Sequence, residues 1–195
     1  METRAILWVM LAGALAASPK AIAWEQDGIP LPAGRFSATN QGSEAECLNP
    51  ANGQPESCST KGVLVVPLNV LQTGALTRDG TGKACVAATA VFSALPVNAT
   101  PPTVLAIHVK LKVLNYAPAT GTGDESFTVY IGGACDGATF KSDGATKIAS
   151  GAAHFVVSDD GNRVDDVFTA LTGAPGQIEI GAFSVSGIEL RQTGR

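Results

Sequence analysis

Residues 103–115, TVLAIHVKLKVLN, carry an apolar side chain at every second position from Leu105 to Val113, with His108, Lys110 and Lys112 between them. Successive side chains along a strand point to opposite faces, so Leu105, Ile107, Val109, Leu111 and Val113 share one face, and Ala106, His108, Lys110 and Lys112 the other. A segment of this kind is stable only in a sheet with one face on a core. The same period returns in SFTVYIGG at 126–133, with Phe127, Val129 and Ile131 inward and Thr128 and Tyr130 outward. Val63–Val66 opens another β-rich run, in which Pro67 marks an edge or a bulge, and Ala84–Leu95 follows. Ile148–Val157 puts Phe155 and Val157 in phase. Gln177–Leu190 slips phase between Ala182 and Phe183, which predicts a bulge there.

Six to eight such strands, separated by Gly-, Ala- and Thr-rich turns, predict an all-β fold, a β-sandwich of the jelly-roll kind over residues 63–195. One stretch departs from this pattern. In NRVDDVFTALTG, at 162–173, Val164, Val167, Phe168 and Leu171 have helical spacing. Asn162 offers a cap, and Gly173 followed by Pro175 a stop, so one short helix is expected near 163–172.

Upstream of the strands the chain changes character. Residues 24–62 are rich in Pro, Gly, Asn, Ser and Glu and read as an irregular arm. Residues 1–23 have the order of a secretory signal: Arg4, an apolar run of 13 residues at 5–17, Pro19, then small residues at Ala21 and Ala23. The run falls short of the roughly 20 residues that a spanning helix needs, and the C-terminal ELRQTGR is polar. Cleavage is expected after Ala23. It would remove Glu2, Arg4 and Lys20, a net +1, and take the chain from −4 to −5. Such an acidic chain lacks the clustered Lys and Arg that phosphate backbones require, which argues against nucleic acid as a partner.

All four cysteines lie beyond the signal, and an even count behind an export segment predicts disulfides. Cys47 with Cys58 and Cys85 with Cys135 is the expected pairing, since the first two share one loop. The protein is therefore expected to be secreted or periplasmic.

Motifs for catalysis are absent: no G-x-S-x-G, S-x-x-K or H-E-x-x-H occurs. Gly80-Thr81-Gly82-Lys83 resembles a phosphate loop only in passing, because Thr77 stands in place of the earlier Gly and Ala84 in place of the Ser or Thr; a hairpin turn accounts for it better. The acidic group Asp159, Asp160, Asp165 and Asp166, with Asn162, makes calcium the one candidate cofactor, through Asp159, Asp160 and Asn162. The EF-hand spacing fails there, however. His154 reads as a half-buried, satisfied histidine.

For glycan binding, aromatic faces beside polar groups are needed. Tyr130, Tyr116 and Trp24 are the exposed platforms, and His108 and Lys110 are the polar groups in phase to flank Tyr130. The expected function is thus a non-catalytic binding module, for a cell-surface glycan or another surface protein. A fimbria-like structural subunit, whose N-terminal arm adds a strand to a neighbour, is the alternative. A secreted hydrolase is third, and a deep cleft gathering carboxylates would favour it.

Overall fold

The computed structural model describes residues 28–94 and 102–193. The signal expected at 1–23, its cleavage point and Trp24 lie outside the described residues. Ten strands follow one another: β1 (Ala33–Leu48), β2 (Leu64–Asp79), β3 (Lys83–Ala94), β4 (Thr103–Ala117), β5 (Thr122–Ile131), β6 (Ala134–Asp136), β7 (Thr139–Lys141), β8 (Thr146–Val157), β9 (Arg163–Gly173) and β10 (Ile180–Arg191). Eight of them close a barrel in the order β1-β2-β3-β4-β5-β8-β9-β10, every neighbouring pair antiparallel. The β6–β7 hairpin is inserted between β5 and β8.

The expected sandwich is therefore a closed up-and-down barrel. Closure depends on β1, which lies in the segment expected to be irregular. β1 pairs with β2 from Ala33↔Asp79 to Leu48↔Leu64 and with β10 from Phe36↔Arg191 to Glu46↔Ile180. Both architectures need the same inward apolar alternation, so period alone does not separate them; the second partner of β1 does. Within β1 the inward positions run Phe36, Ala38, Asn40, Gly42 and Glu44. Polar and small residues there hide the strand from a hydrophobicity reading.

The expected helix is β9. Its inward residues are Val164, Asp166, Phe168 and, after a register shift opposite Ala152/Ala153, Leu171. The bulge turns a spacing of two into one of three. Positions 164, 168 and 171 then imitate the rows of a helix. Asn162 caps nothing: its amide donates to Asp160 in the β8–β9 turn.

Elsewhere the phase holds. Ile107, Val109 and Leu111 are buried with Phe127 and Val129, and Phe155 and Val157 are buried as expected. Ile131, at the end of β5, is exposed instead. Pro67 pairs with Ala45 of β1 and lies just beyond Leu68, the last residue of β2 that pairs with β3 among the described residues. The bulge in β10 falls at Gly181, next to the expected place. Gly80-Thr81-Gly82 forms the β2–β3 turn, with both glycines at positive φ and Asp79 accepting from Thr81 and Lys83.

Both disulfides form as paired above, Cys47–Cys58 and Cys85–Cys135, with Cα–Cα distances of 5.2 and 5.7 Å. They fit an oxidising, extracytoplasmic compartment. Among the described residues no helix is long and apolar enough to cross a membrane. The outer face of the strands is mixed: Ser, Thr, Asn, Gln and Lys alternate there with exposed Leu71, Val104, Val156, Val167, Ile188 and Leu190.

One end of the barrel is plugged. Ile29, Leu31, Val113 and Tyr116 pack on buried Phe155, Val157 and Val164. The Ile29 amide donates to Pro118 O, and the Tyr116 hydroxyl donates to Ile29 O, both at 2.8 Å.

Candidate functional site

Above this plug lies a layer of charge. Arg78, inward on β2, stands over the Phe155 ring with its guanidinium carbon 5.9 Å from the centroid. Its Nε and Nη2 donate to the two carboxylate oxygens of Glu189 at 2.8 and 2.7 Å, and its Nη1 donates to Glu125 at 3.0 Å. All three side chains are buried. Burial alone would push the guanidinium down, but the carboxylates of Glu189 and then Glu125 push it up and keep it charged. Burial raises Glu125, against the pull of Arg78.

Asp166 completes the layer without a partner. It is 6% exposed, and its Oδ1 has no hydrogen-bond donor. Burial, with the nearby Glu189 and Glu125, pushes its carboxyl up to about 7. Asp166, Gly187 and Asn40 are direct cross-strand partners on β9, β10 and β1. A Cβ at Gly187 would collide with Asn40 Oδ1 and with both Asp166 oxygens, so the missing side chain makes room for these groups.

Between this layer and the other end of the barrel runs a narrow, partly open cavity of about 70 Å³. Ile107, Val109, Phe127, Val129, Phe168 and Val185 supply its apolar wall. Glu125, Asp166 and Glu189 face it, whereas Arg78 stands behind them. A fourth carboxyl, Glu44, also lines it: 6% exposed, with Oε1 unpartnered, and pushed up to about 7 by burial and by Glu46.

The residues expected to bind lie outside this cavity. Tyr130 and His108 are cross-strand partners, and Lys110 follows on the same outer face. The Tyr130 ring faces out, but Phe140 of the β6–β7 hairpin stacks on it at 4.3 Å between centroids, and His108 Nδ1 contacts Gly132 O at 3.0 Å. Cys85–Cys135 pins that hairpin over β3. Tyr116 belongs to the plug, stacked on Phe155 at 5.9 Å. His154 is exposed rather than half-buried, and its Nδ1 meets Asp124 at 2.9 Å.

The acidic group 159–166 is split by the strand. Asp165 points outward to Arg163, while Asp166 points inward. Asp160 is engaged by Ser158 and by the backbone and side chain of Asn162, and Asp159 is exposed. Among the described residues no group of three or more His, Cys, Asp or Glu side chains is arranged to hold a metal.

Sequence reasoning missed Glu44, Arg78, Glu125, Asp166 and Glu189 as a site. Phase alone would have placed two of them: Glu125 shares the face of Phe127 and Val129, and Glu189 that of Val185. No family model, curated protein or solved structure matches this chain.

Proposed function

We propose that the protein is a secreted or periplasmic binding barrel, non-catalytic, that holds a small and largely apolar ligand inside its wall. One observation carries this reading: the cavity is apolar along its walls, with three carboxyls gathered at one end and Glu44 set apart from them. Eight-stranded barrels are just wide enough to hold one small ligand, and sites of this kind pair an apolar lining with a few placed polar groups. The outer face supports a glycan less well, because the ring of Tyr130 is already stacked on Phe140. A fimbria-like role gains little support either: residues 33–48 pair within their own barrel, which leaves the main sheet no open edge to offer a neighbour.

The test is titration with a neutral apolar fluorophore such as N-phenyl-1-naphthylamine. Saturable, one-to-one enhancement is expected. Ala88→Leu and Ala149→Leu project into the cavity and should weaken binding at least tenfold with the circular dichroism unchanged. No saturable binding by the folded wild type would overturn the reading.

A second reading, acid–base catalysis, is favoured by a carboxyl held near neutrality in an apolar cavity, as Asp166 is. It ranks second because both histidines lie outside the barrel and all four cysteines are oxidised, which leaves carboxyls alone to act as acid, base or nucleophile, and two of the four are engaged by Arg78. Turnover of chromogenic glycosides or esters that is lost in Asp166→Asn would place it first.

A further inference from the structure

Four carboxyl side chains and no basic one line the cavity. Arg78, the single internal cation among the described residues, is spent on Glu189 and Glu125 and sits on the far side of them. The face that a ligand would meet is therefore acidic, in surroundings where charge is poorly screened.

Asp166 and Asn40 sharpen this. Both crowd the space over Gly187, and the Asn40 Nδ2 donates to Gln72, which turns the amide oxygen toward the carboxyl. Two acceptors thus meet with no donor between them. A buried acceptor left without a donor is destabilising, because it gives up its bonds to water and gets none in return. Something that brings N–H groups to this point relieves that cost.

We propose that the cavity is selective for cationic amphiphiles, a protonated amine or amidine on an apolar body, with the head seated against Asp166 and Asn40. An ammonium carries three donors and no acceptor, which suits this pair of oxygens. The apolar body then lies along Ile107, Val109, Phe127 and Phe168. Glu44 adds a second unpartnered oxygen to the same cavity, four residues from Asn40 along β1, about 13 Å at roughly 3.3 Å per residue.

Binding of an amine should depend on pH, because Asp166 must ionise to meet the charge. The groups that face Asp166 are Glu189 on β10, Glu125 on β5 and Arg78 on β2, and Asp165, next to it on β9, is turned outward to Arg163. Burial holds its carboxyl up first, the three acids add to that, and Arg78 opposes them. Octylamine stays protonated throughout, so its affinity should rise between pH 6 and pH 8.

This inference rests on the cavity being a ligand site, and the experiment separates the two. Octylamine, 1-octanol and octanoate are titrated against wild type and Asp166→Asn at pH 8, by displacement of N-phenyl-1-naphthylamine. Octylamine is expected to bind at least tenfold more tightly than octanol, and octanoate at least tenfold more weakly. Asp166→Asn should erase the preference for the amine, bringing octylamine to the affinity of octanol in the same variant. Octanol or octanoate binding as tightly as octylamine would overturn the charge selectivity and leave the cavity as an apolar site. That comparison needs only the wild type, should the variant fail to fold. A preference that survives in a folded Asp166→Asn would overturn the role given to Asp166. If neither the dye nor any of the three ligands binds, the cavity reading falls as well.

Discussion

Arg78 on β2 and Glu189 on β10 hold a bidentate ion pair across β1, the strand that lies between theirs. The pair spans the strand whose pairing closes the barrel. It also sets the floor of the cavity, since the guanidinium rests on Phe155 below and faces carboxylates above. Closure and cavity chemistry are thus tied to one side chain.

Arg78→Met should cost stability heavily. It removes the cation and leaves Glu189 and Glu125 buried without a counter-charge. Breaking a buried pair in this way costs about 3–5 kcal/mol. Urea denaturation of the variant would read the loss, and a cost below about 1 kcal/mol would show that the layer is hydrated and its charges screened.

Stability should fall as the medium becomes more basic. Asp166 and Glu44 are raised from 3.8 and 4.5 to about 7 in the folded chain. Between those values the folded state holds more protons than the unfolded one, so stability decreases as pH rises through this window and levels off above about 7. A loss on the order of 2 kcal/mol or more between pH 5 and pH 8 is expected, and Asp166→Asn should flatten the slope. Thermal melts across that range test it; a Tm that rises from pH 5 to pH 8 would contradict both assignments.

Much of the barrel was legible in its strands, and little of the site was. β4 and β5 could be read from period alone because each inward position from 105 to 113 and from 127 to 129 is apolar. β1 could not, since Asn40, Gly42 and Glu44 occupy inward positions, and a strand that carries the polar lining looks like a loop. β9 was misread for a related reason: Asp166 interrupts the apolar alternation and the bulge shifts Leu171. The features that hid these strands are those that furnish the cavity. Charged residues on an inward face are rare enough that the pattern treats them as the solvent side. Placing them inside required the barrel to close. Tyr130 was placed correctly on the outer face, next to His108, but nothing local to it foretold that the disulfide-held hairpin would set Phe140 on its ring.

Gly187→Ala should destabilise the protein and disturb the polar end of the cavity together. The added methyl meets Asn40 Oδ1 and both Asp166 oxygens, and overpacking of this kind costs about 1–3 kcal/mol. Removing the Asn40 side chain as well should recover part of that cost, because one of the colliding groups is gone. A double-mutant cycle of Gly187→Ala with Asn40→Ala measures the coupling. Additive effects would mean that the two positions do not share space.

The last prediction separates the hairpin from the barrel. Cys85–Cys135 closes 50 residues and Cys47–Cys58 closes 11, so in the chain-entropy view their removal costs about 4 and about 3 kcal/mol. The longer bridge should therefore matter more, although Cys85→Ala with Cys135→Ala leaves every barrel strand pairing untouched. What it releases is the β6–β7 hairpin, which holds Phe140 on Tyr130 and Gly132 O near His108 from outside the wall. None of these residues lines the cavity. The double variant should accordingly unfold at lower urea than the Cys47→Ala/Cys58→Ala variant, yet bind N-phenyl-1-naphthylamine with unchanged affinity under folding conditions. Loss of dye binding in the folded variant would mean that the hairpin shapes the interior. A glycan affinity that appears only when Phe140 is freed from Tyr130 would instead return the outer face to consideration.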